Sequence, residues 1–333
     1  YQNADGTYFA NGFQDIDGVT YSFDENGYIQ TGWVTKGVKD YYFNDDGSYD
    51  PSKVRPMLAL TFDDGPGQYT DELLDCLEEN NAHATFFMLG QNVDQYPDAP
   101  KRMLELGCEI GSHSWDHTQL TTIDIDAVAK QFSDTDNALI QACGQAATVA
   151  RAPYGDGNSD IYNTVNKPFF MWSLDTEDWK LLDADGDYNA VMNGDLTDGS
   201  IILMHDIHEP SVQAALRLIP DLIAKGYKLV TVSEMAEAKN VTLQNACYVD
   251  FWPSTLSNGG VPGYNGGTDT DTAESTDSTD GSSSDESPDV TDGSTDDSYD
   301  DGSSDDSSYD DGSYDDSYDD YSDDSVDYGD GSE

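Results

Sequence analysis

The chain has 333 residues, 67 Asp or Glu against 14 Lys or Arg, and a formal net charge of −53 at pH 7. So acidic a chain is repelled by nucleic acid and by anionic membrane surfaces, which argues against both as partners. No apolar run approaches the ~20 residues of a membrane-spanning helix. The acid is unevenly spread: residues 263–333 hold 26 of the 67 carboxylates and no Lys or Arg. That segment is Asp, Ser, Gly, Thr and Tyr. It lacks the aliphatic side chains that would offset its ordering entropy, so a disordered tail is expected. The rest carries 67 − 26 = 41 acids against 14 bases, a net −27, in about 262 residues. That is long enough for one large domain and a small one. The sequence begins at Tyr1 rather than Met, which is compatible with a leader removed upstream.

Residues 1–50 repeat with a period of about 20 residues. Ser22-Phe23-Asp24-Glu25-Asn26-Gly27-Tyr28 lines up with Tyr42-Phe43-Asn44-Asp45-Asp46-Gly47-Ser48, and more loosely with Tyr1 to Thr7. Asn-Gly and Asp-Gly supply the positive φ of a tight hairpin turn. Aromatic residues (Tyr21, Phe23, Trp33, Tyr41, Phe43) flank the turns. Each unit is too small to bury its own apolar face, so β-hairpin units must stack.

Residues 51–240 read as α/β. Met57 to Phe62 is a short apolar run suited to a buried strand, and helical periodicity follows at Leu73, Leu74 and Leu77. Ala84 to Leu89 predicts a second strand and Pro100 to Leu106 a helix. Phe169 to Leu174, Ile201 to Met204 and Lys228 to Val232 predict further strands. Pro210 to Ala224 and Ser233 to Ala238 predict helices. Strands alternating with helices point to a parallel, barrel-like sheet, and the chemically capable residues fall just after strands, where such barrels carry their sites. Residues 241–262 read as a C-terminal extension of this domain. Cys76, Cys108, Cys143 and Cys247 lack CxxC spacing, which argues against a zinc finger and for free, mostly buried thiols, with one disulfide as the alternative.

Five segments hold residue types that metal-assisted hydrolysis uses. Asp63-Asp64 follows a buried strand and precedes Gly65-Pro66; of two adjacent carboxylates at a turn, one can bind a metal while the other takes a proton. His113 and His117, four apart, form with Asp64 a two-His, one-carboxylate set that leaves positions open for water and substrate. Arg151 keeps its charge and, beside Asp63, would orient that carboxylate. Tyr154, after Pro153, offers a backbone N–H to an oxyanion. His205 ends an apolar strand, and Asp178 as its partner would raise its pKa and suit it to act as a general acid. Trp179 and Leu203 suit the wall of a small methyl pocket. Asp183-Ala184-Asp185-Gly186-Asp187 looks like a calcium loop, but Tyr188 and Gly194 stand where such a loop needs Gly and Glu, so it reads as an acidic surface loop. Asn240-Val241-Thr242 matches a glycosylation acceptor, a pattern common by chance.

Together the five segments resemble the five motifs of the polysaccharide deacetylases, the NodB-homology domain of carbohydrate esterase family 4, over roughly Pro56 to Ala238. The resemblance implies a distorted (β/α) barrel of about seven strands. It implies Asp63 as general base and Asp64, His113 and His117 as ligands of one divalent ion, zinc with cobalt as the alternative. It implies Arg151 as the residue orienting Asp63, the Tyr154 N–H at the oxyanion, Trp179 and Leu203 at the acetate pocket, and Asp178 tuning the general acid His205. Two neighbours depart from the common form: Cys108 precedes Glu109 where His is frequent, and Gly155-Asp156-Gly157 follows Tyr154.

The aromatic repeats resemble the cell-wall-binding, choline-binding-like repeats of Gram-positive surface proteins. That resemblance implies a wall glycan or a choline-like ligand in aromatic pockets; an aromatic spacer that binds nothing is the alternative. The combination implies a secreted or cell-wall-associated, metal-dependent enzyme removing N-acetyl groups from N-acetylglucosamine-type residues of a cell-wall polysaccharide, peptidoglycan first. Chitooligosaccharides or acetylxylan are the alternative substrates, and a non-catalytic surface glycan-binding protein is the alternative of another class.

Overall fold

The computed structural model describes residues 6–257. The expected disordered tail, the last residues of the 241–262 extension and most of the first repeat unit lie outside them.

Two antiparallel hairpins come first. β1 (Gly12–Ile16) pairs with β2 (Val19–Phe23), and β3 (Gly32–Lys36) with β4 (Lys39–Phe43). Their turns are Asp17-Gly18 and Gly37-Val38; Asp17 and Gly18 have φ of 53° and 84°, the twist-matched geometry of a two-residue hairpin. The Asn26-Gly27 and Asp46-Gly47 pairs expected at the hairpin turns instead close the shorter loops that follow each hairpin, pinned by isolated bridges Phe23–Ile29 and Phe43–Tyr49. The sequence pattern located the left-handed glycines but could not say which turn carries the ladder. The hairpins stack as the repeat requires. The Phe13 ring meets Tyr41 at 4.9 Å and Phe43 at 5.3 Å, and Phe23 and Phe43 are buried.

The barrel alternates strand and helix in chain order. The order is β5 (Met57–Asp63), α1 (Thr70–Glu79), β6 (Thr85–Met88), α2 (Gly90–Gln95), α3 (Ala99–Glu105), β7 (Glu109–Ser112), α4 (Ile125–Cys143), β8 (Val149–Ala150), α5 (Ser159–Val165), β9 (Phe169–Phe170), β10 (Leu174–Asp175), α6 (Asp178–Leu181), α7 (Ala184–Met192), β11 (Ser200–His205), α8 (Glu209–Ala224), β12 (Lys228–Leu229), α9 (Val232–Ala238), β13 (Cys247–Tyr248) and α10 (Pro253–Ser257). Among the described residues nine strands form one parallel sheet in the order β10-β11-β5-β6-β7-β8-β9-β13, with β12 on the β5 edge. This is the distorted (β/α) barrel expected, with more and shorter strands than seven. Every residue of β5 is buried, as a strand covered on both faces must be. The outer helices cover it with Leu73, Leu74 and Leu77 of α1 and Leu218, Ile219 and Leu222 of α8, all without exposed surface.

The expected strand Phe169 to Leu174 is broken in two because the segment changes partners midway. Met171 N–H donates to Tyr248 O at 2.8 Å, and Ser173 N–H to Ile201 O at 2.9 Å, so it bridges two neighbours of the sheet. The longest helix, α4, had no counterpart among the predicted elements. Its polar composition hides its stripe of Val128, Phe132, Thr135 and Leu139. Its stop and start signals were nevertheless in the sequence: Asp124 accepts from Ala127 N–H, and Gly144 ends it at φ 82°. The acidic run at 183–187 is no surface loop. Asp183 caps the N-terminus of α7, accepting from Asp185 N–H, and Asp187 is wholly buried. Carboxylates in a first turn are favoured by the helix dipole, which an isolated reading of the run overlooked. All four cysteines are free thiols, Cys108 and Cys247 buried and Cys76 and Cys143 half-buried.

Candidate active site

Asp63 ends β5, His113 follows β7, Arg151 follows β8, and His205 ends β11, so four separate strands deliver their last side chains to one end of the barrel. Asp64, Ser114, His117, Tyr154 and Glu177 all adopt φ between 55° and 74°. Non-glycine residues in the left-handed region cost free energy, and such strain collects at sites where direction matters more than comfort. At Asp64 it turns the second carboxylate away from the strand. Hydrogen bonds from Asp64 N–H to Phe87 O (3.1 Å) and from Asn92 Nδ2 to Asp64 O (2.7 Å) hold that turn.

Asp64 Oδ1 lies 3.6 Å from Nε2 of both His113 and His117. These separations are too long for hydrogen bonds, and Asp64 Oδ1 is buried without a partner. The three ligand atoms lie within 4.8 Å of one another. Two ligands each ~2.1 Å from a tetrahedral ion are about 3.4 Å apart, so the spacing suits a divalent cation. His113 is presented as a ligand: its Nδ1–H must donate to the Arg151 carbonyl oxygen at 2.9 Å, since a carbonyl only accepts, and Nε2 is left with its lone pair toward Asp64. Burial pushes the His113 pKa down to about 3, which keeps the imidazole neutral. His117 is held by Ser114 Oγ at its backbone N–H and by the Tyr154 ring edge at 4.4 Å.

Asp63 is nearly inaccessible and takes a 2.6 Å ion pair from Arg151, itself without exposed surface. Arg151 is satisfied all round by Thr61 Oγ1, Phe170 O and Met171 O, each at 2.9 Å, and lies over the Phe87 ring at 4.2 Å. Burial raises the Asp63 carboxyl above its ordinary value and the guanidinium pulls against it. The outcome is an ion-paired carboxylate more basic than an exposed one. His205 Nδ1 bonds Asp178 Oδ1 at 2.8 Å, while Asp178 Oδ2 accepts the His205 N–H at 2.7 Å. Burial lowers the His205 pKa, but the Asp178 hydrogen bond and charge, with Asp63 and Asp64, outweigh it and raise the value to about 9. His205 Nε2 points to Asp64 Oδ2 at 4.0 Å.

A cavity of about 420 Å³ opens over these groups, and Tyr154, Trp179 and Leu203 line it together with the two aspartates and three histidines. Of the residues singled out in the sequence, only Arg151 and Asp178 stand behind the wall rather than in it. Sequence reasoning missed Trp172 and Asp175 on the wall, and Thr61 beneath Arg151. It also passed over Asp206, wholly buried with its pKa pushed up to about 7 by burial. A Cβ on Gly65 would sit 2.2 Å from the Asp206 carboxylate, so this carboxyl packs directly under the Asp64 turn. Only its place after His205 hinted at it. A second cavity of about 520 Å³, between α4 and α5, has Asp160 as its one acid and no histidine.

A parallel barrel whose strand ends gather an Asp-His-His set, an arginine-paired Asp and an Asp-backed His defines a metal-assisted hydrolase. A family model for polysaccharide deacetylase matches residues 50–168. A peptidoglycan-N-acetylglucosamine deacetylase of Bacillus cereus is 35% identical over 220 residues, 64% of this chain and 77% of that protein. One of Listeria monocytogenes is 42% identical over 185 residues, 55% of this chain and 40% of that protein. The structure of a family 4 acetyl xylan esterase from Clostridium thermocellum, in complex with a cobalt ion, superposes with a TM-score of 0.55 at 32% identity, covering 58% of this chain and 98% of that one. The chain belongs to the polysaccharide deacetylases, a family of metal-dependent hydrolases. It spans about 40% of the length of its Listeria relative.

Proposed function

We propose that this chain removes N-acetyl groups from N-acetylglucosamine-type residues of a cell-wall polysaccharide, with peptidoglycan as the first substrate, and works exported, at the wall. The observation that carries the reading is the convergence of Asp63, Asp64, His113, His117 and His205 on one cavity floor, with Asp63 held by Arg151, His113 by the Arg151 carbonyl oxygen and His205 by Asp178. Asp64, His113 and His117 would hold a divalent ion, zinc or alternatively cobalt, which would supply the Lewis acidity to polarise a carbonyl oxygen and acidify water. Asp63 takes the proton of the attacking water, and Arg151 keeps its carboxylate aimed. The Tyr154 N–H meets the developing oxyanion. His205 delivers a proton from Nε2 to the leaving amine while Asp178 stabilises the imidazolium. Leu203 and Trp179 exclude water from the acetyl methyl. The names of the Bacillus and Listeria relatives favour peptidoglycan; that of the Clostridium relative keeps acetylxylan as the second reading. Acetate released from peptidoglycan, chitin oligomers and acetylxylan in parallel tests this. The highest kcat/KM is expected on peptidoglycan, and release from acetylxylan alone would reject the first reading.

The Asp178–His205 pair sets the alkaline limit of activity. His205 acts in its protonated form, which exists below its raised pKa. Asp178→Asn removes the negative charge that raises it, so the alkaline limb of kcat/KM should move to lower pH. A dication held at Asp64, His113 and His117 would lower that limb in both proteins and leave the direction of the difference. An unmoved limb in kcat/KM measured from pH 6 to 10 would exclude His205 as the acid. The hairpins, residues 1–50, are proposed to retain the enzyme on the wall. A protein beginning at Ser52 should deacetylate soluble oligomers as well as the full chain does but sediment poorly with sacculi. Equal sedimentation would make the hairpins a spacer.

A further inference from the structure

Five of the fourteen Lys and Arg residues, Lys39, Lys53, Arg55, Lys228 and Lys239, gather where the second hairpin meets the N-terminal end of the barrel, opposite the candidate active site. Two carboxylates answer them at short range. Asp40, nearly inaccessible, takes Lys228 Nζ at 2.8 Å and Arg55 at 3.2 Å; Asp198 takes Lys239. Asp50, its carboxylate bound to Ser52, acts on Lys53 through space, and Asp45 and Asp46 line a separate cavity with that lysine. Among the described residues Lys39 and Lys53 pair with no carboxylate: Lys39 Nζ donates to Asn240 Oδ1 at 3.1 Å, and Lys53 Nζ sits over the Tyr42 ring at 3.6 Å. A cavity of about 240 Å³ lies between them, lined by Lys39, Tyr41, Tyr49, Lys53, Arg55 and Lys239, with the ion-paired Asp40 also in its wall. It is below the roughly 300–1,000 Å³ of pockets for drug-sized ligands, so it suits one small unit. The Tyr41 and Tyr49 rings, 5.8 Å apart, offer faces and edges to such a unit.

We propose that this junction binds an acidic sugar, a saccharide unit carrying a carboxylate or a phosphate. Its oxyanion is received by Lys39, Lys53 and Arg55, and its ring lies against Tyr41 and Tyr49. A choline-like cation is the wrong sign for the place. The Tyr42 and Phe13 faces that would attract a quaternary ammonium already carry the lysines Lys53 and Lys36. The acidity of the rest of the chain does not veto an anion here, because exposed charges beyond about 8 Å are screened at physiological ionic strength, leaving the local sign to govern contact. The proposal is independent of the reaction at the other end of the barrel.

The test is calorimetric titration of the full chain at about 0.15 M salt with three probes: oligoglucuronate, N-acetylglucosamine 6-phosphate and neutral chitotetraose. At least one acidic probe should bind, and which one does identifies the oxyanion. Lys39→Gln with Lys53→Gln should weaken it about three- to thirtyfold, two exposed charge contacts' worth, and leave chitotetraose binding unaltered. Lys39→Arg with Lys53→Arg keeps the charge and should keep the affinity, which separates binding from folding. Equal affinity in wild type and the Gln pair, no acidic probe binding at all, or an Arg pair as weak as the Gln pair would overturn the proposal.

Discussion

Asp63→Asn should lose turnover by about 10²–10⁴-fold, the contribution of a positioned general base, while keeping its metal. The substitution is nearly isosteric. An amide oxygen still accepts from Arg151, whose bonds to Thr61, Phe170 and Met171 stay intact. The arginine is then a buried cation without its counter-charge, and breaking such a pair costs roughly 3–5 kcal/mol when nothing replaces the partner. Retained hydrogen bonding should hold the loss below that range. Acetate release, metal content by mass spectrometry and thermal unfolding separate the effects. Near-normal turnover with full metal occupancy would remove Asp63 from the role of base, and an activity loss matched by metal loss would move it into the ligand set.

His113→Ala should abolish metal binding and activity together. It removes the most buried of the three ligands and leaves the Arg151 carbonyl oxygen without its donor, a cost of about 1–3 kcal/mol for a buried acceptor. Removing a ligand outright should weaken metal at least as much as the 10–100-fold typical of outer-shell changes. The sharper readout is linkage. A ligand bound only to the folded state raises its stability, so a chelator should lower the melting temperature of the wild type and leave His113→Ala unaffected. A chelator shift of equal size in both proteins would place the ion elsewhere. Asp63→Asn should keep the wild-type shift, and the two variants thereby separate proton transfer from metal binding.

The residue types of the site, their order along the chain and the alternation of strand with helix were legible in the sequence, because each depends on local pattern. An apolar run ending in Asp63-Asp64 or in His205 reads as a buried strand with chemistry at its end. Helices with a wide apolar stripe, α1 and α8, read easily; α4, which shows its stripe only every third or fourth residue among polar ones, did not. Tertiary structure alone decided distance and direction. The left-handed turns at Asp64, His117 and Tyr154 are paid for by the surrounding contacts and leave no mark in composition. Arg151 and Asp63, 88 positions apart, meet because β5 and β8 end on one rim of one sheet. The same holds for the basic junction. Its lysines are scattered from Lys39 to Lys239 in a chain of net charge −53, and composition averages them away. Folding the second hairpin against the start of β5 and β12 brings Lys39, Lys53, Arg55 and Lys239 to one cavity, because charge is felt over ångströms in space and not over positions in sequence.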